Sequence, residues 1–150
     1  MNINLKMQDI NKKYKEGGNF LCRFNNTQNN YTLEQLAELN EVDPELLLII
    51  LLHFENSYEE EKIDTQKFQI IDILRYLKIT HNHYKKIRFH QIEREIFNLY
   101  KHKKESDYLI SPLTKTYCDF KNHFTAHMEE EETELFPLLK KIASKEIDNI

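Results

Sequence analysis

Three side chains of this sequence are of the types that share a metal ion: His81, His127 and Glu131. His127 and Glu131 stand at i and i+4, so on a helix they project from one face and reach a common ligand. Imidazole nitrogen and carboxylate oxygen together suit iron, manganese and zinc, and helical bundles build such sites from inward-projecting side chains. Each residue also has a plainer reading. A lone histidine on an apolar stripe is commonly a satisfied core residue, and an acidic run such as Glu129–Glu132 usually faces solvent. Four successive glutamates, however, cover every side of a helix, so one must point inward, and stripe phase selects Glu131. A carboxylate held in an apolar stripe needs a partner, and a metal cation is a natural one.

The remaining candidates are weaker. His83 is two positions from His81 and faces away from it, although a one-residue shift of helix phase makes it the ligand instead. His123, four before His127, offers a supporting contact outside the ligand set. His90 and His102 read as surface residues, and His53 belongs to the N-terminal part. Tyr84 and Tyr117 read either as donors to an oxygen on the metal or as core aromatics with wet hydroxyls. Cys22 and Cys118 lack CxxC or other metal spacing, which reads as two reduced bystander thiols.

The elements that must carry the three ligands are long amphipathic helices. Ile70, Leu74, Leu77, His81 and Tyr84 follow steps of three and four, and Phe89, Ile92, Ile96 and Leu99 continue an apolar face. After the polar stretch His102–Asp107, Ser111-Pro112 forms an N-cap and first-position pair that predicts the start of a second helix. Its stripe is Leu113, Tyr117, Phe120, Phe124, His127, Glu131, Leu135 and Leu138, with Pro137 expected to kink or end it. A short connection makes the two segments antiparallel neighbours. Equal distances along them from that connection bring His81 opposite the His127–Glu131 turn, to within a turn or two.

Upstream, a short helix around 4–15 is expected to stop at Gly17-Gly18, and apolar Phe20–Phe24 runs into a polar loop at 25–30. Thr32-Leu-Glu-Gln35 has the capping-box pattern, and Asp43-Pro44 repeats the start signal. Two short helices at about 32–40 and 44–55 follow, the second apolar almost all round at Leu46–Leu52 and hence buried. The acidic run Glu59–Glu61 marks a linker. The expectation is thus an all-α chain with an N-terminal helical module at 1–60 and a helical hairpin at 66–150.

Composition agrees. Two glycines and three prolines in 150 residues are too few for the turns of a sheet protein. A net charge of −4, with lysines and arginines spread along faces, gives no footprint for nucleic acid. The longest apolar run falls far short of the roughly 20 residues of a membrane span, and no signal peptide opens the chain, so a cytoplasmic location is expected.

At these residues the sequence resembles the hemerythrin-like proteins, in particular the repair of iron centres family (regulators of cell morphogenesis and nitric-oxide signalling). The matching segments run from Asp72 to Tyr84, through His81, and from His127 to Pro137. The second is the more specific, with His-x-x-x-Glu closely followed by Leu-Phe-Pro. Tyr31–Phe54 resembles the family's small N-terminal helical domain, without that domain's usual pair of cysteines. The resemblance covers about 12–143. It implies a left-handed four-helix bundle holding two irons bridged by carboxylates and an oxo group. Each half of that bundle gives one His from its first helix and a His and a Glu from its second, which carry over to His81, His127 and Glu131.

Family members continue into a second helical pair, whereas this sequence stops at Ile150. Three explanations follow: two chains each supply half of a four-His, two-Glu site; the chain is a fragment; or it is a degenerate member without metal. A symmetric dimer reproduces the bundle's near two-fold symmetry and buries stripes that two helices leave open. The leading expectation is therefore a homodimeric non-haem di-iron protein of nitrosative and oxidative stress. It would bind O2 or NO species, or give iron to damaged iron–sulfur proteins, and would not be a conventional turnover enzyme. The alternatives are a metal-free helical interaction module and a mononuclear iron or zinc site within one chain.

Overall fold

Thr32 and Asp43 begin helices as their spacing predicts. In the computed structural model, which describes residues 3–14, 16–24, 30–54, 68–102 and 107–147, the Gln35 amide donates to Thr32 Oγ1 at 3.2 Å. The Thr32 amide donates in return to Gln35 Oε1 at 3.0 Å. This reciprocal box satisfies two otherwise orphaned donors and opens α3 (Leu33–Leu39). Asp43 Oδ1 accepts from the amides of Glu45 and Leu46 at 2.8 and 2.9 Å, and Pro44 begins α4 (Pro44–Phe54). Glu41, between the two helices, takes a left-handed φ of 53°. Its carbonyl accepts from Arg75 at 2.9 Å and its carboxylate pairs with the same guanidinium at 3.3 Å, contacts that hold the strained turn.

The glycines behave differently from the expectation. They do not end a helix but open a new one: α1 (Met7–Lys13) is followed by α2 (Gly17–Leu21), which includes Phe20 and Leu21 of the apolar stretch. A Cβ at Gly17 would lie 2.8 Å from the Ile10 carbonyl oxygen, so the glycine is what lets the two helices approach.

The chain divides into two compact units, Met1–Thr80 and His81–Ile150. The expected boundary at 60–66 and the acidic linker at Glu59–Glu61 lie outside the described residues. The division falls inside α5 (Ile70–His83) because its first turns serve the N-terminal core. There Tyr76 is buried with Ile10, Phe20, Leu33, Leu36, Leu47 and Leu51, and Arg23 donates to the Tyr76 hydroxyl while lying over the Phe54 ring. The apolar α4 is buried as its composition requires, at Leu46, Leu47, Leu48, Leu51 and Leu52.

In the second unit the helical segments continue one another. The π-helical turn π1 (Tyr84–Arg88) follows α5 and leads into α6 (Phe89–His102). After the connection, α7 (Asp107–Glu130) leads through π2 (Glu131–Leu135) into α8 (Phe136–Ile147). The helix starts ahead of Ser111-Pro112, so Ser111 does not cap it and Pro112 lies inside, where it omits one backbone hydrogen bond. Pro137 neither ends nor visibly breaks the second segment. The wide turn just before it resets the ladder, with the Phe136 amide donating to the Glu131 carbonyl, five residues back. The two segments run antiparallel: Tyr84 meets Phe124 edge-on at 5.2 Å between centroids, and the Tyr117 hydroxyl donates to the Phe89 carbonyl at 2.9 Å. Among the described residues the molecule is all-α, and no helix is long and apolar enough to cross a membrane.

Candidate metal centre

The last turn of α5 brings His81 against the junction of α7 and π2. Its Nε2 lies 3.2 Å from Glu131 Oε2, and its Nδ1 lies 3.0 Å from Glu132 Oε1. On the other side of the same carboxylate, His127 Nε2 lies 3.3 Å from Glu131 Oε1. Glu131 thus shows one oxygen to each imidazole, and the three residues singled out by sequence meet through it. His81 is buried and its ring stacks on Phe136 at 5.7 Å and 21°, which fixes its tilt. The Glu131 side chain is 24% exposed and that of His127 60%, so the cluster is closed on the α5 side and open beyond His127.

That opening is a hollow of about 370 Å³ lined by His127, Glu130, Glu131, Glu134, Leu135 and Leu138. It shows how the predicted stripe divides. Tyr117, Met128 and Phe136 are buried within the unit. Leu113, Phe120, Leu135 and Leu138 are exposed beside His127. The stripe is broad enough for two packing faces, and only one of them is covered.

Two residues that stripe counting passes over join the cluster. Glu132 accepts from His81 and, on the same oxygen, from Lys85 Nζ at 3.1 Å. Burial alone would raise its carboxyl, but the hydrogen bonds and charges of Lys85 and His81 outweigh that and hold it below the usual carboxylate range. In a regular α-helix adjacent residues diverge by about 100°. Here π2 opens the turn where Glu131 begins, and both glutamates address one imidazole. Lys85 was within reach of sequence reasoning, being at i+4 from His81. Glu132 was not, because nothing but the nearby Pro137 hints at an irregular turn.

The other candidates are placed as follows. His83 is buried beside the Tyr84 ring, at 6.3 Å between centroids, and has no printed part in the Glu131 cluster. His123 and His53 are exposed, and His90 pairs on the surface with Glu93 at 3.2 Å. The His102 side chain lies outside the described residues. Tyr84 packs among Phe89 and Phe124, and Tyr117 spends its hydrogen on the Phe89 carbonyl. Burial, then the nearby Glu93 charge, pushes the Tyr117 phenol up. Beside it Lys121 donates to Glu93, an ion pair that lowers the Glu93 carboxyl and raises the Lys121 ammonium. Cys22 and Cys118 are free and exposed thiols.

The donor chemistry and spacing were tested against a metal ion. With metal–donor bonds of roughly 2.1 Å, neighbouring ligands at right angles stand roughly 3 Å apart. The two imidazole–carboxylate separations, 3.2 and 3.3 Å, lie close to that edge length. The donors meet in pairs through Glu131, however, and among the described residues no three His, Cys, Asp or Glu side chains form a group that holds a metal ion by itself. The residues fit as part of a ligand set. Comparison with family models, with curated proteins and with solved structures finds no match to this chain.

Proposed function

We propose that the chain is a hemerythrin-like, non-haem di-iron protein in which His81, His127 and Glu131 form one half of the ligand set and a second copy supplies the other. The observation that carries this reading is the Glu131 carboxylate, whose two oxygens each face a different imidazole nitrogen at 3.2 and 3.3 Å. Electron-rich atoms so placed need a cation between them, a proton or a metal, and a carboxylate presenting both oxygens is suited to bridge two ions. The open side supports the dimer. His127 and the exposed Leu113, Phe120, Leu135 and Leu138 lie together, and a symmetric partner would cover the apolar residues while adding its own imidazoles and carboxylate.

In this reading the chain's residues hold and shape rather than react. His81 and Glu131 are fixed by burial, by the stacked Phe136 ring and by Glu132, whereas His127 completes the set from the exposed side. Iron bound there supplies redox capacity and a coordination position for O2 or NO species. The role is a stress-response or iron–sulfur repair function in which iron is sensed, used or delivered.

A metal-free helical interaction module is the second reading, and the lack of a self-sufficient donor group in one chain favours it. Metal analysis of the iron-loaded protein alongside its mass in solution decides between them. Two irons per dimer are expected, with Glu131→Ala abolishing iron binding while leaving helicity intact. A monomer without iron after loading sinks the di-iron reading, and iron retained by Glu131→Ala removes Glu131 from the ligand set.

A further inference from the structure

The geometry points to Glu132 as the positioning carboxylate of His81, anchored by Lys85, so that His81 offers its Nε2 lone pair to a metal; this rests on the reading of His81 as a ligand. The His81 ring has two nitrogens and both face carboxylates. Nδ1 is 3.0 Å from Glu132 Oε1, the shorter of the two separations, and Nε2 is 3.2 Å from Glu131 Oε2. A neutral imidazole carries one proton and one lone pair. With the proton on Nδ1 and donated to Glu132, the lone pair falls on Nε2, beside the carboxylate that also addresses His127.

The two glutamates are adjacent in sequence and equally exposed, yet their surroundings separate their roles. Glu132 Oε1 already accepts from the Lys85 ammonium at 3.1 Å as well as from His81. A cation gains little by settling on an oxygen that already faces an ammonium. Both printed partners of Glu131 are imidazole Nε2 atoms, the kind of donor that binds metal. Glu131 is therefore the ligand and Glu132 its support. Histidine ligands characteristically donate their second nitrogen to such a carboxylate, which sets tautomer, ring orientation and basicity.

The arrangement depends on both irregular turns. Lys85 lies in π1, and Glu132 lies in π2, whose wider turn lets consecutive glutamates face one ring. The stacked Phe136 leaves the imidazole only an in-plane choice, and Glu132 makes it.

The test uses full-length protein, Fe(II) as the probe, chelator competition for affinity and long-range 1H–15N correlation of the metal-free protein at mildly alkaline pH. The expected result is a His81 proton on Nδ1 in the wild type, and Fe(II) affinity about 10–100-fold weaker in Glu132→Ala. Glu132→Gln keeps an acceptor oxygen and is expected to recover most of the loss, which a purely structural role for the charge would not give. Circular dichroism and thermal unfolding confirm that each variant folds. A proton on His81 Nε2, or unchanged affinity in Glu132→Ala while Glu131→Ala loses iron, overturns the positioning role and leaves the di-iron reading standing. Wild-type protein that binds no Fe(II) overturns both.

Discussion

Tyr117 illustrates how one side chain ties the hairpin together away from the candidate centre. Its hydroxyl crosses from α7 to the Phe89 carbonyl at 2.9 Å, at the first residue after π1. Removing it in Tyr117→Phe is expected to cost about 1 kcal/mol at neutral pH, by denaturant unfolding. The variant also carries a pH signature. Burial, seconded by Glu93, raises the phenol's pKa in the folded protein. The folded state thus holds the proton more tightly than the unfolded chain. Stability from this group is complete below its ordinary value of about 10 and is lost as pH rises through the raised one. Above that range wild-type stability is expected to fall more steeply than that of Tyr117→Phe. Parallel slopes would mean that burial does not perturb the phenol.

At the scale of elements, the reciprocal Thr32–Gln35 cap is the clearest case of sequence dictating structure. Thr32→Ala is expected to lower stability by about 1 kcal/mol, measured by thermal or urea unfolding. An unchanged midpoint would show that tertiary packing of Leu33 and Leu36 holds α3 without it. This start, the Asp43-Pro44 start and the buried run at Leu46–Leu52 were legible because each rests on local spacing. The same is true of the i, i+4 pair His127 and Glu131. What was not legible depends on the register of one helix against another. Ser111-Pro112 has the chemistry of a helix start, yet the helix extends ahead of it, and Gly17-Gly18 opens a helix because Ile10 leaves no room for a side chain. The π turns arise from packing and left no periodic trace, so Glu132 stayed hidden while Glu131 did not.

At the scale of the molecule, the second unit exposes a row of large apolar side chains that a two-helix hairpin has no means to bury. Leu113, Phe120, Leu135 and Leu138 share the side of α7, π2 and α8 on which His127 is open. The dimer reading makes that row the interface, so dimerisation and iron retention are expected to fail together. Leu138→Glu should give monomers by light scattering with reduced iron per chain. Leu39→Glu, at an exposed position of the N-terminal unit, should change neither. A Leu138→Glu dimer with full iron content would place the partner surface elsewhere.

The two π turns can also be read as a matter of chain length. Each holds one residue more than a regular helical path over the same span would use. Losing one residue from Glu131–Leu135 would leave a helix that still forms, but with everything after it rotated by about 100°. Phe136 would leave the face of His81, and the neighbouring glutamates would again diverge. A site of this kind is therefore vulnerable in inheritance to single-codon deletions that leave all of its named residues in place. In a descendant sequence, the interval between His127 and Phe136 would be as telling as the presence of the histidines and glutamates themselves.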